Sequence, residues 1–459
     1  MSISDAQNEA KPSLEMAVGS SPATNNSVAT TNEVPRRWFF ISIALSYLAF
    51  VVIGFNDGSF GVLLSGISVQ YQVSDQMVAV VFLFTLIGYL LSSLVCGWLI
   101  ERLTIRIYLA CAGLLFIIAT VLCGIAPPFA AYLAILVLLG VAVAAVDAGF
   151  NAYFVALPNN GALLNYLHAS YGVGAWVGPI IANAVMGEKE NRLRWHYLYY
   201  IWGGACLLVL LCFLAMFRNA LPSMKSKDTD SCEKKNLANT IDSDEDIQGG
   251  LMMATLRKSV VWLGGLMAFV YMGAGVSIGS WTFKLFEESR GFSSSLSSLF
   301  VSIYWLGMFL GRVTLGLMAR TRRRQFFVIY ACLGFTILGL LLVWLLRSAA
   351  ACGIGIFLIG YGLGPIYPTS IAVINDLLYS KRLQATAIGF ITAFACCGNG
   401  LFSWLAGYLI GSYGYETFLP YEVGLVLGIA VIWIILHVRG LFLIKEREKS
   451  MAYTEDRRV

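Results

Sequence analysis

The sequence predicts an all-α membrane protein: twelve transmembrane helices in two six-helix bundles, with both termini cytoplasmic. Three observations carry that prediction. Twelve apolar stretches run along the chain, each near the ~20 residues that cross a ~30 Å hydrocarbon core. A charged loop at 218–256 divides them six and six. The composition is 58% hydrophobic and only 12% charged, outside the range of soluble domains.

The expected spans are 38–64, 77–100, 107–126, 130–156, 162–186, 196–217, 257–283, 295–319, 326–346, 350–376, 384–410 and 421–443. With the N-terminus inside, 24 of the 31 Lys and Arg residues fall on the inner side and six on the outer, leaving Arg312 within a span. Positive charge concentrates on cytoplasmic loops, so this bias orients the chain. The organisation is then a polar tail at 1–36, a first bundle at 37–217, a linker at 218–256, a second bundle at 257–443 and a cytoplasmic tail at 444–459. Tail and linker are polar and poor in aromatics, the composition of disorder. The one glycosylation sequon, at Asn25, falls on the cytoplasmic tail, where it stays unmodified. Residues 1–35 have no apolar core of a signal peptide, so the first span serves as the signal.

The 45 glycines suit membrane helices, which associate by close packing rather than by the hydrophobic effect. Nine of the 10 cysteines lie in apolar runs and read as small hydrophobes, without the spacing of a metal site or a disulfide framework. No phosphate loop and no nucleophile–base constellation is present. These features argue against an enzyme, a metal centre or any cofactor, and the basic residues sit at span ends rather than in a nucleic-acid patch. The expected partners are a small-molecule solute, protons and the bilayer, for a monomeric chain in the plasma membrane or an organelle membrane.

The two halves share a pattern. Gly97-Trp-Leu-Ile-Glu101-Arg102-Leu-Thr-Ile-Arg106 closes the second span, and Gly311-Arg312-Val-Thr-Leu-Gly316 closes the eighth. Spaced glycines also recur in the fifth and eleventh spans. Weak symmetry between six-span halves marks transporter folds whose solute site lies between the repeats. The first segment resembles the signature loop of the major facilitator superfamily, G-x3-D-R/K-x-G-x-R-K/R, with Glu101 in place of its aspartate and Thr104 in place of its second glycine. Gly54-Phe-Asn56-Asp57-Gly58, Asp147-x3-Asn151 and Leu167-His168-x2-Tyr171-Gly-x-Gly174 resemble its fucose–galactose–glucose:proton symporter branch and fungal relatives. That resemblance implies proton coupling through acids on the first and fourth helices, here Asp57 and Asp147.

Read as residues, Asp57 and Asp147 are carboxyls well inside spans. A charged Asp at a helix centre costs ~2.5–3.5 kcal/mol on insertion scales, so each needs a cavity or a partner. Asn56 and Asn151 add amides that both donate and accept, as hydroxyl-rich solutes require. His168 and Tyr171 share a face of the fifth span. In the second half Tyr271, Trp281, Tyr304, Trp305, Tyr361, Tyr367 and Asn399 are candidate pocket residues. Gly97, Glu101, Arg102 and Arg106, with Gly311 and Arg312, read as a gating motif; Arg312 is more readily structural than solute-binding. Asn375 and Asp376 read as capping groups.

The leading expectation is alternating-access transport of a small neutral polar solute, with a monosaccharide in view, driven by protons. Proton-antiport efflux of amphipathic compounds is the alternative. The exporters' G-x8-G-x3-G-P-x2-G-G pattern survives only as Gly174-x3-Gly178-Pro179. A non-transporting sensor would carry larger cytoplasmic extensions.

Overall fold

The computed structural model describes residues 36–155, 157, 160–187, 194–216, 250–318, 321–378 and 381–456. Among them are twelve long helices and no strand. The first six are α1 (Arg36–Tyr71), α2 (Val80–Arg102), α3 (Ile105–Gly124), α4 (Phe129–Val155), α5 (Asn160–Met186) and α6 (Tyr197–Met216). The next six are α7 (Ser259–Lys284), α8 (Ser294–Met318), α9 (Arg322–Leu345), α10 (Ala349–Leu377), α11 (Lys381–Tyr413) and α12 (Phe418–Asp456). Short helices at Asp75–Val78 and Leu251–Leu256 precede α2 and α7.

Eleven described helical stretches are long and apolar enough to cross a membrane. The expected span at 162–186 is not among them. It is helical as α5, but Asn165, His168, Ser170 and Asn183 interrupt its apolar run. Elsewhere the ends move. α1 runs past 64 to Tyr71, because Gly66 packs against Trp195 and Met186. α12 continues to Asp456 through the helix-favouring run Lys445-Glu446-Arg447-Glu448-Lys449, so most of the tail expected at 444–459 is helix. Asn25, the tail to 35 and the linker to 249 lie outside the described residues.

The apolar surface shows what surrounds the molecule. α3 exposes Ile107, Leu114, Ile118 and Val121; α12 exposes Leu427, Val431, Ile434, Val438 and Leu441. These recur at helical spacing on one face, and α6 and α9 carry similar stripes. Apolar surface this continuous is stable only against lipid. The protein is a multi-pass integral membrane protein.

Backbone-to-backbone crossings at glycine hold the interior. A Cβ on Gly174 of α5 would stand 2.0 Å from the Val51 carbonyl oxygen of α1, and one on Gly54 2.0 Å from that of Tyr171. Gly398 of α11 meets the Phe269 carbonyl of α7 in the same way. Gly88 and Gly140 bring α2 onto α4, while Gly307, Gly311, Gly360 and Gly364 bring α8 onto α10. The crossings α1–α5 and α2–α4 thus recur six helices later as α7–α11 and α8–α10. Among the described residues the cysteines form no disulfide; Cys96, Cys123, Cys332 and Cys352 are buried, whereas Cys111 is exposed on α3.

Gly174→Leu should therefore force α1 from α5 and lower stability by about 1–3 kcal/mol, read as a fall in unfolding temperature of the purified protein. Gly97→Ala has no atom within 4 Å to displace and should leave it unchanged. Equal effects from the two would contradict the crossing.

Candidate functional site

Asp57 lies midway along α1, flanked by Gly54 and Gly58, which let α5 approach. Its carboxylate accepts from Asn56 Nδ2 (2.8 Å) and from Tyr171 Oη of α5 (3.0 Å). Asp147 of α4 lies within electrostatic reach of Asp57. Asn151 Nδ2 donates back to the Asp147 carbonyl at 2.9 Å and also reaches its carboxylate. Asn56 is buried with its Oδ1 unpartnered among the described residues. The structure thus brings together Asp57, Asp147, Asn56, Asn151 and Tyr171 as one acceptor-rich wall.

α8 supplies a second wall. Side chains on a helix lean toward its N-terminus, so Arg312 reaches back a turn, placing Nη2 3.5 Å from Met308 Sδ. Its Nε donates to the Gly364 carbonyl of α10 at 3.2 Å. The guanidinium is within hydrogen-bonding reach of Tyr271 on α7, and its charge is felt by Tyr171 and His168 on α5. The sequence reading set Arg312 within the eighth span, near its cytoplasmic end, as part of a gating motif; in the structure its side chain turns back into the bundle, toward α10, α7 and α5. Trp305, two turns earlier on the same face of α8, stands edge-on to Tyr171 with ring centroids 6.4 Å apart.

The remaining candidates divide. Tyr271 stacks on Tyr367, whose hydroxyl meets Thr392 at 3.3 Å, so both face the acids' side of α11. His168 is exposed with its ring edge-on to Phe50. Asn399 is half-buried between the packing glycines 398 and 400, with no hydrogen bond to its amide among the described residues. Tyr304 is fully buried and donates to the Gly275 carbonyl (2.6 Å), a strut rather than a pocket wall. Tyr361 turns away, stacked on Phe357 and bonded by Thr314, and Trp281 is buried with its Nε1 on the Ser403 carbonyl. Asn375 caps locally, its carbonyl accepting from Gln384, and Asp376 ends the same helix.

Two central residues escaped the sequence reading. Tyr89 of α2 and Cys396 of α11 both lie within electrostatic reach of Asp147, and Tyr89 also of Asp57. A third acid was missed as well. Glu422 is fully buried in the first turns of α12, accepting from Ser277 Oγ. A span drawn from 421 left it at the membrane edge. Polar groups one or two turns inside an apolar run were the available signal.

The helix sets meet firmly at the end that carries Lys284. Lys284 is 2% exposed and pairs with Asp75, accompanied by Ser68 Oγ at 3.0 Å and Glu288 at 3.7 Å. Tyr415 donates to both Asp75 (2.6 Å) and Glu288 (3.0 Å). Below this lock, Gly61 abuts the Gly279 and Ser280 carbonyls, Gly407 abuts Ala79, and Gly411 abuts Gln76. At the opposite end Gly97, Gly316 and Gly389 have nothing within 4 Å of a built Cβ. Glu101 and Arg102 are exposed, Arg102 lies over the Trp98 ring at 4.4 Å, and Arg106 Nη2 donates to the Leu214 carbonyl of α6. Gly311 serves the α8–α10 crossing instead.

A bundle of membrane helices with polar, ionisable walls between its two sets, sealed at one end, is the architecture of a solute carrier. The comparisons agree. The model of the Major Facilitator Superfamily matches residues 46–396, and the chain belongs to that superfamily. Its family and fold are those of transporters, not enzymes. It is similar to "Bypass of stop codon protein 6" of Saccharomyces cerevisiae, 24% identical over 82% of this chain and 78% of that one. It is also similar to the glucose/mannose transporter GlcP of Bacillus subtilis, 21% identical over 79% and 86%. Among solved structures, a D-xylose-proton symporter aligns with TM-score 0.65 at 14% identity, covering 86% of this chain and 97% of that one.

Removing one partner of a buried ion pair costs ~3–5 kcal/mol, so Asp75→Asn should loosen the Lys284 end. In that background a cysteine introduced as Thr282→Cys, a buried position two residues before Lys284, should react with a maleimide several-fold faster than in an otherwise unaltered chain. An unchanged rate would show that the pair does not hold this end shut.

Proposed function

We propose that the chain is a secondary active transporter that moves a small hydroxyl-rich solute of monosaccharide size, coupled to protons, by alternating access. The observation that carries this reading is the acid wall. Asp57 is bonded to Asn56 and Tyr171 within reach of Asp147, at the centre of the helices and between their two sets. A carboxyl held at that depth by an amide and a hydroxyl, rather than neutralised by a cation, can take and give a proton. The amides, tyrosines and orphan Asn56 oxygen around it match the donor–acceptor pairs of sugar hydroxyls. The printed names of two relatives, a glucose/mannose transporter and a D-xylose-proton symporter, support the same class.

Two six-helix halves, acting in a monomer, would rock about this site. The Lys and Arg bias puts the Glu101 end in the cytoplasm, so the closed Lys284 end is the outer gate and this state is open inward. The Asp75–Lys284–Tyr415 lock then has to break and reform in each cycle. A proton gradient acting on Asp57 and Asp147 supplies the driving force in this proposal.

In proteoliposomes, Asp57→Asn and Asp147→Asn should each abolish accumulation driven by a pH gradient while keeping solute exchange at equal pH. If both variants accumulate solute as the unaltered chain does, proton coupling through these acids is wrong. Uptake of amphipathic cations in place of sugars would turn the reading to efflux.

A further inference from the structure

The α8 wall, between the helix sets, bears on the solute's charge, an inference that rests on the transport reading above. Arg312 is a full positive charge between the helix sets, and among the described residues no carboxylate pairs with it. Its contacts are the Gly364 carbonyl, the Met308 sulfur and the Tyr271 hydroxyl, none of them anionic. Intramembrane cations are costly and ordinarily paired with an acid. Lys284 illustrates the rule in the same molecule, buried with Asp75 and Glu288 beside it.

Beyond the carbonyl and the sulfur that accept from Arg312, two further donor groups lie on this side. The Tyr271 hydroxyl lies next to it, and Trp305 Nε1, on the same face of α8, has no acceptor among the described residues. Tyr171, across the interface, feels Arg312 on one side and gives its own proton to Asp57 on the other. The interface between the helix sets is therefore bipolar: acceptors from α1 and α4, a cation and donors from α7 and α8, with Tyr171 between. A neutral sugar satisfies either wall through its hydroxyls but leaves the guanidinium charge uncompensated.

We infer that the solute is a hydroxylated carboxylic acid, an aldonate or uronate, with its carboxylate on Arg312 and its hydroxyls on the Asp57–Asp147 wall. Guanidinium geometry suits a planar carboxylate through paired N–H donors. A single cation, without a lysine beside it, matches one negative charge rather than a phosphate dianion. This replaces the neutral solute expected from the sequence. It also explains why acids and an arginine share one interface. An ionised acid wall repels the anion, so the anion seats when that wall carries a proton, and the two travel together.

The test is counterflow exchange in proteoliposomes of the full chain, with labelled D-glucose against D-gluconate and D-glucuronate, and D-glucuronamide as the uncharged isostere. The acids should exchange and should outcompete glucose and the amide by at least about tenfold, the worth of one charge-assisted hydrogen bond. Arg312→Gln should bring that ratio close to one. Glucose or the amide competing as well as the acids in the unaltered chain overturns the inference while leaving the transport reading intact, and needs no variant to fold. An acid preference that survives in a folded Arg312→Gln protein also overturns it. Failure of all four solutes to exchange sinks the transport reading together with the inference.

Discussion

The free-energy penalty on charge at mid-membrane depth organises this molecule. Asp57, Asp147 and Arg312 all sit where hydrocarbon would surround them if the helices closed on one another. Each is instead held by neutral groups that can satisfy it without cancelling it. Asp57 has a tyrosine and an amide, Asp147 an amide, and Arg312 a carbonyl, a thioether and a tyrosine. Such partners hold a charge in place and leave it available. A salt bridge between the two walls would have ended that availability, and Tyr171, standing between Asp57 and Arg312, helps keep the walls apart.

The same penalty works differently at the periphery. At the Lys284 end Lys284 pairs with Asp75 across the helix sets, where α7 unwinds into a π-helical turn that carries Glu287 and Glu288. Pairing there closes the structure; incomplete pairing at the centre keeps it open. One chain thus uses ionisable groups in two ways, sealing at the rim and receptive in the middle, and depth in the membrane decides which.

The helices, their order and the acids of the first half were legible because apolar run length and isolated mid-span carboxyls are one-dimensional signals. α5 was drawn as a span like the others, although Asn165, His168, Ser170 and Asn183 interrupt its apolar run. What stayed hidden depends on rotation and reach. Tyr89, Tyr304 and Tyr361 look alike in sequence, yet one joins the acids, one props α7 and one faces α9. The contacts of Arg312 stayed hidden because the sequence shows only a residue near the end of a span, whereas its long side chain leans back along α8. Glu422 was lost to a span boundary drawn a few residues late.

The glycine crossings have a consequence for how such a protein can change over generations. They lock backbone to backbone, α1 on α5 and α7 on α11, and leave no room for variation at those positions. The polar walls are built wholly from side chains projecting off those fixed backbones. Mechanics and chemical preference are therefore written in different residues of the same helices. A lineage can exchange one cargo for another by altering a few wall positions, while the machinery that moves it is inherited unchanged.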